Sequence, residues 1–186
     1  MRVIAGSARR LKLVTPEGND TRPTQDRIKE TLFNIIQNQV PGSVFADLYA
    51  GSGGIGIEAL SRGASSAYFI ENAQNAYKCI LENLKTTHLE DKATVFKQDV
   101  VLGLRGIREK EVDIIFIDPP YHAQLYERTL AQLSAMNYVT ENTMIIVECG
   151  LDMDFSFADE YGFEVTREKN YKTNKHVFLQ RKAPNP

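Results

Sequence analysis

The sequence predicts an α/β protein built on a doubly wound, mostly parallel sheet. Three observations carry that expectation. Short apolar runs recur between residues 44 and 149 and alternate with segments of helical period. A glycine-rich loop, GSGGIG (51–56), follows the first run, and acidic residues (Glu71, Asp99, Asp118) close the next three. Strands that alternate with helices imply right-handed crossovers, and sheets of this kind bind ligands beyond the carboxyl ends of their strands.

The elements follow in order. Residues 2–14 mix apolar and basic side chains around Gly6-Ser7, which reads as a short, mobile β-hairpin. Pro16, Gly18, Asn19 and Asp20 make a loop. RPTQDRIKETLFNII (22–36) reads as a helix, with Thr24 as N-cap after Pro23 and Asp26 in the first turn. Ile28, Leu32, Ile35 and Ile36 fall on one face, and Pro41-Gly42 ends the segment. VFADLY (44–49) is a buried strand, GIGIEALSRG (54–63) a helix closed by Gly63, AYFIE (67–71) a strand and NAYKCILENLK (75–85) a helix. ATVFKQD (93–99) and VDIIFID (112–118) are strands flanking a short helix near 100–109. LYERTLAQLSAM (125–136) is a helix and TMIIVEC (143–149) a strand. GFEVTREKNY (162–171) and KHVFLQRK (175–182), joined through Lys172-Thr173-Asn174, read as an antiparallel pair on the sheet edge.

The bulk properties bound the class. A chain of 186 residues with 42% hydrophobic and 25% charged content is an ordinary globular protein able to build one core. Cys79 and Cys149 lie far apart in apolar contexts, which excludes a disulfide framework and fits buried thiols in a reducing compartment. The first residues, MRVIAGSARRLK, lack the apolar run of a signal peptide, and no run reaches the ~18 residues of a membrane span. A cytoplasmic protein is expected. Net charge is −2, but residues 1–30 hold seven Lys/Arg against four acids. A basic end on an acidic body points to an anionic partner or to a plain solvated face.

The glycine loop raises the central question. GSGGIG is G-x-G-x-x-G, and Glu71 follows Gly51 by 20 positions, the dinucleotide fingerprint. Asp47 tips the balance away from it. A carboxylate there repels a pyrophosphate but suits the ammonium of an amino-acid moiety, directly or through water, and S-adenosylmethionine carries such an ammonium and no phosphate. Glu71 can accept both hydroxyls of an adenosine ribose with either cofactor. Asp99 suits the adenine amino group, or caps the helix that follows it.

Asp118-Pro119-Pro120-Tyr121 supplies chemistry that a nicotinamide enzyme does not need. Two prolines remove donors and stiffen the rim, leaving the Asp118 carboxylate and backbone carbonyls as acceptors. Acceptors that bind the hydrogens of a nucleobase amine turn its lone pair towards an incoming methyl. Tyr121 offers an aromatic face for an extruded base. In a doubly wound sheet the first and fourth strands are neighbours, so Gly51 and Asp118 face one another. The three histidines, His88, His122 and His176, are scattered, and no metal is expected. An adenine-N6 or cytosine-N4 DNA methyltransferase, an NAD-dependent oxidoreductase and a non-catalytic RNA-binding module remain as alternatives.

With these residues assembled, the chain resembles the bacterial 16S ribosomal RNA guanine-N2 methyltransferase family (RsmD type) from about residue 2 to 182. RVIAGSARRLKL, RPTQDRIKETLFNII, DLYAGSGGIGIEALSRGA, FIEN and DPPY carry the likeness. The resemblance implies a class I S-adenosylmethionine-dependent, Rossmann-like methyltransferase domain over 22–186, preceded by a basic extension over 1–21. It implies a monomer that methylates one guanine of 16S rRNA, within the small ribosomal subunit or an assembly intermediate. Asp118, Pro119, Pro120 and Tyr121 become the amine-binding motif. Asp47, Gly51, Gly53 and Glu71 line the cofactor site, with Tyr49, Ser52, Asn72 and Asp99 around them. Arg22, Thr24 and Arg27 face substrate or cofactor, and Arg2, Arg9, Arg10 and Lys12 form a basic arm for RNA phosphates, with Lys29 adding charge nearby.

Overall fold

The computed structural model describes residues 1–17, 23–120 and 123–185. In chain order its elements are α1 (Pro23–Ile35), β1 (Val44–Leu48), α2 (Gly54–Ser61), β2 (Ser66–Ile70), α3 (Gln74–Thr87) and β3 (Ala93–Phe96). Then come α4 (Val100–Gly106), β4 (Ile114–Ile117), α5 (Ala123–Ser134), β5 (Met144–Gly150), β6 (Phe163–Asn170) and β7 (Asn174–Arg181). Two 3₁₀ segments, Glu90–Lys92 and Ser156–Tyr161, have no apolar period and were not expected.

The described strands form one seven-stranded sheet in the order β3-β2-β1-β4-β5-β7-β6. β1 lies between β2 and β4 and is parallel to both, so the strand order reverses beside it and a crevice opens at the carboxyl ends. The terminal hairpin forms as expected, but its second strand is the one that joins the sheet, antiparallel to β5. Composition explains this. β7 buries Lys175 to Leu179 without a break, whereas β6 buries Phe163 and exposes Glu164 to Glu168. A charged strand is the right one to leave on an edge.

Both sheet faces are covered, which is why the inner strands are apolar throughout. One face packs Leu48, Ile115, Ile117, Ile145 and Val147 against Leu104 of α4 and Leu130 and Leu133 of α5. The other packs Phe45, Phe69, Phe116 and Ile146 against Leu32, Phe33, Ile57 and Ile80. Asp47, Asp118, Glu148 and His176 alternate with those residues and share this second face.

Two sequence expectations are corrected. α1 begins at Pro23, not after Thr24, because a proline at the first helical position loses no hydrogen bond the helix would have made. Residues 2–14 form no regular hairpin: their ladder is one antiparallel bridge, Arg2↔Lys12. The segment instead packs Val3, Ala8 and Leu13 into the core beside α1 and α2. The boundary expected after residue 21 lies outside the described residues. Both cysteines are free. Cys149 is buried and its thiol is pushed up to about 11 by burial, while Cys79 is partly exposed. Among the described residues, no helix is long and apolar enough to cross a membrane.

Candidate active site

β1 leads straight into the glycine loop. Tyr49, Gly51 and Gly53 all take positive φ (58°, 58° and 82°), a path that glycine follows without strain. At Gly51 an added Cβ would meet nothing within 4 Å, so the backbone there faces open space at the mouth of the crevice. Gly56 is needed for a different reason: a Cβ would lie 2.4 Å from the Phe69 ring, so it lets α2 pack on β2.

Two carboxylates shape this loop. Glu71 Oε2 accepts the Gly51 N–H at 2.7 Å and Oε1 accepts the Ala73 N–H at 2.9 Å. It ties the β1–α2 and β2–α3 loops together and keeps one side open to solvent beside the exposed Asn72. Asp47 is 1% exposed, and its Oδ2 accepts the Gly56 N–H at 2.9 Å. Burial pushes its carboxyl well above the usual range, against the pull of the Gly56 bond, and Asp118 and Glu71 push it further. The structure therefore gives Asp47 the first turn of α2 as its partner and little surface for a ligand.

The other expected cofactor residues surround the same opening. The Tyr49 hydroxyl and Thr129 Oγ1 are 2.8 Å apart. Ser52 is buried, and its carbonyl accepts from Asn83 Nδ2 at 2.9 Å. Asp99 caps α4 by accepting the Val101 N–H at 3.0 Å, and Arg128 reaches it at 3.2 Å.

Asp118 follows β4 directly. β4 is in register with β1 (Leu48↔Ile117) and with β5 (Ile117↔Val147), so Asp118 stands across from the glycine loop, as the sequence requires. Pro119 is buried and Pro120 exposed, while Tyr121 and His122 lie outside the described residues. Asp118 keeps surface at the crevice mouth, yet protein closes around its inner side. That desolvation, followed by the charge and hydrogen bond of Glu148, pushes its carboxyl well above the usual range, with His176 pulling it down. The Glu148 neighbour is the cause that geometry supports most directly, since the Asp118 residue is itself exposed and the strand register sets Glu148 beside it.

The expected substrate residues divide into two groups. Arg2, Arg9, Arg10, Lys12 and Arg27 are exposed, as phosphate contacts require. Arg22 lies outside the described residues, and Thr24 falls within the first turn of α1. Lys29 is corrected: it is 4% exposed, pairs with Glu58 at 3.3 Å and donates to the Arg2 carbonyl at 2.6 Å.

Several site residues escaped the sequence reading. Glu58, fully buried in α2, accepts the Ile4 and Ala5 N–H groups and the Arg62 guanidinium as well. Asn83 of α3 accepts from the Val14 N–H at 2.8 Å and donates to the Val14 and Ser52 carbonyls, linking the basic segment to the glycine loop. Each is one polar residue on a helix whose apolar period announces core, so only the tertiary partner reveals its role. A concavity of about 1010 Å³, lined by Arg105, Glu109, Asp113 and Tyr138, opens at the amino ends of the strands, away from this chemistry.

A parallel sheet with this strand order, a glycine loop at its switch point and an acidic rim opposite define a class I S-adenosylmethionine-dependent methyltransferase. A family model described as "Conserved hypothetical protein 95" matches residues 1–180, and the chain belongs to that family. It is 36% identical over 174 residues to "Putative rRNA methyltransferase YlbH" of Bacillus subtilis, spanning 92% of this chain and 94% of that one. It is 36% identical over 154 residues to "Ribosomal RNA small subunit methyltransferase D" of Haemophilus influenzae, spanning 82% and 80%. Among solved structures, "Putative methyltransferase yhhF from Escherichia coli" matches with a TM-score of 0.82 at 31% identity, covering 99% of both chains.

Proposed function

We propose that this protein transfers a methyl group from S-adenosylmethionine to the exocyclic N2 amine of a guanine in small-subunit ribosomal RNA. The observation that carries the reading is the position of Asp118, at the end of β4 and directly across the switch point from the Gly51 loop. The family relationship supports rRNA as the substrate class, because a relative sharing 36% of its residues is named for the small subunit.

The residues present fit the cofactor. Gly51 opens onto free space, and the Glu71 carboxylate sits beside it with capacity to accept hydroxyls. In this reading Gly51, Ser52 and Gly53 supply backbone contact. Glu71 and Asn72 hold the ribose side, Asp99 and Tyr49 flank the base, and Asp47 acts by fixing the first turn of α2. Bound there, S-adenosylmethionine supplies a methyl on a sulfonium, so positioning carries much of the catalysis. Asp118 and the Pro119 or Pro120 carbonyl accept the amine hydrogens and aim the nitrogen lone pair, while Tyr121 stacks on the base. Arg2, Arg9, Arg10, Lys12, Arg22, Thr24 and Arg27 position the RNA backbone without specifying the base. Residues 1–21 then act as an RNA-holding extension of a methyltransferase domain over 22–186. The protein works as a cytoplasmic monomer on rRNA within the small subunit or its assembly intermediate.

The test is transfer of labelled methyl into small-subunit particles that lack their own N2-methylguanine, with wild type and Asp118→Ala compared and the nucleoside identified by mass. N2-methylguanosine from wild type, lost in the variant, is the expected result. A different methylated nucleoside would keep the enzyme class and overturn the guanine assignment.

A further inference from the structure

Three neighbouring strands bring a polar row to the crevice. β4 and β5 are in register at Ile117↔Val147, and β5 and β7 at Glu148↔His176, so Asp118, Glu148 and His176 stand side by side on one face. His176 Nε2 lies 3.0 Å from Glu148 Oε1, and the Asn174 amide lies 3.3 Å from the same oxygen. His176 Nδ1 is 2.9 Å from the Tyr171 hydroxyl, and the Phe116 ring meets the imidazole edge-on. The His176 side chain is 1% exposed and that of Glu148 23%. Buried polar groups persist where each is satisfied, and this row is satisfied along its length up to Asp118, its open end.

We propose that Glu148 is the final acceptor of the proton released by the amine. Asp118 relays it, taking the amine's proton on its outer oxygen and passing the proton already held to Glu148, and His176, Asn174 and Tyr171 are positioning residues that keep Glu148 ready to receive one. This rests on the reading that Asp118 faces an amine undergoing methylation.

The step balances without a further reactant. The nitrogen lone pair forms the N–C bond as the C–S bond breaks, and the electron pair of that bond stays on sulfur. The nitrogen then gives one proton to the outer oxygen of Asp118, while the proton already held between the carboxyls passes from Asp118 to Glu148. The pair goes from one proton and one negative charge to two protons and none. It returns the extra proton to water once the product has left.

The electrostatics agree with that direction. Burial raises both carboxyls, and two carboxyls side by side share one proton more readily than they carry two charges. Burial lowers His176 to about 4, so the imidazole is neutral. With Nδ1 accepting from Tyr171, its Nε2–H donates to Glu148 and favours the anion. The other charged groups packed nearby are Asp47 on β1, Lys175 on β7, and Arg167 and Glu168 on β6. Lys175 is engaged with Glu168 at 3.5 Å.

Two variants test this. Glu148→Gln removes the acceptor: kcat falls by about 10- to 100-fold, less than for Asp118→Ala, and the acid limb, set in wild type by protonation of Glu148 to the two-proton pair, is replaced by a single limb that follows the Asp118 titration. Asn174→Ala removes a donor to the Glu148 anion and moves the acid limb to higher pH. The same pair is followed without substrate by carbon-13 NMR of the carboxyl groups: two coupled titrations in wild type, and one lower Asp118 titration in Glu148→Gln. Carboxyl titrations that are independent in wild type, or an Asp118 titration unmoved by Glu148→Gln, would overturn the proposal. So would a Glu148→Gln enzyme that changes only KM. If Glu148→Gln fails to fold, the wild-type coupling and the Asn174→Ala shift decide alone. A wild type with coupled carboxyls but no methyl transfer to rRNA would instead sink the substrate reading and leave the pair standing.

Discussion

Replacing Glu58 with glutamine should strip the basic N-terminal segment of its main anchor. In wild type the fully buried Glu58 carboxylate meets four donors: the Ile4 N–H at 2.8 Å, the Ala5 N–H at 3.0 Å, Arg62 Nε at 2.8 Å and Lys29 Nζ at 3.3 Å. Glutamine keeps one acceptor oxygen and presents an NH₂ to donors that then have no partner. It also leaves Lys29, 4% exposed, without its counter-ion. Breaking a buried pair from one side costs about 3–5 kcal/mol. The Lys29 bond to the Arg2 carbonyl survives, so the lower end, about 3 kcal/mol, is expected. With a urea m-value of about 2 kcal/mol/M, the midpoint should fall by about 1.5 M.

The pH dependence of that loss gives a second check. Burial holds the Lys29 amine below its ordinary value of 10.5, and Glu58 resists that shift. Without Glu58 the folded-state value drops further. The unfolded chain then binds a proton that the folded chain does not, over the range between the two values, so stability rises with pH there. Part of the deficit should therefore be recovered as pH is raised towards 10.5. A loss under about 1 kcal/mol with no such recovery would show that the network behaves like a surface ion pair, and the reasoning fails.

Other outcomes follow from the same geometry. Glu71→Ala leaves the Gly51 and Ala73 N–H groups without their acceptor, and cofactor affinity by calorimetry should weaken by about 10- to 100-fold; an unchanged Kd would remove Glu71 from the site. The His176 imidazole should stay neutral down to about pH 4 by nitrogen-15 NMR, and a titration near 6.5 would contradict its buried environment. Because its folded value lies below the unfolded one, its contribution to stability, on the order of 3 kcal/mol, is lost as pH falls from 6.5 to 4. That slope should be missing in His176→Gln. Replacing Arg9, Arg10 and Lys12 with alanine should weaken RNA binding across sequences and reduce the salt dependence by about one unit of slope for each phosphate no longer neutralised. An unchanged slope would mean that these exposed cations face only water.

The fold was legible because its determinants are local. Apolar runs such as VFADLY and VDIIFID can only be inner strands, and DLYAGSGG writes its own backbone path through glycines. The loop and the Asp118 rim could be paired from topology alone, since a doubly wound sheet makes β1 and β4 neighbours. Glu148 and His176 could not be found that way. Their meeting depends on β7 entering the sheet beside β5, which is decided by the charge on β6 and not by anything near either residue. Lys29 misled for a related reason: a lysine among exposed cations reads as surface until the carboxylate that buries it, 29 positions later, is placed against it. The N-terminal segment looked mobile because its partners, Glu58, Ser61 and Asn83, are side chains on other elements, and its own ladder is a single bridge.

The position of β7 also governs how this molecule is born. A ribosome delivers β5, then β6, then β7, but the sheet accepts them as β5, β7, β6. Until β7 emerges, β5 carries the row Ile145, Ile146 and Val147 with one edge unclaimed, and β6 has no neighbour at all. Vectorial synthesis therefore holds the nascent chain in a half-built state with a sticky apolar margin. The strand that seals this margin is the same one that brings His176 to Glu148, so the polar row is completed only when the hazard is closed.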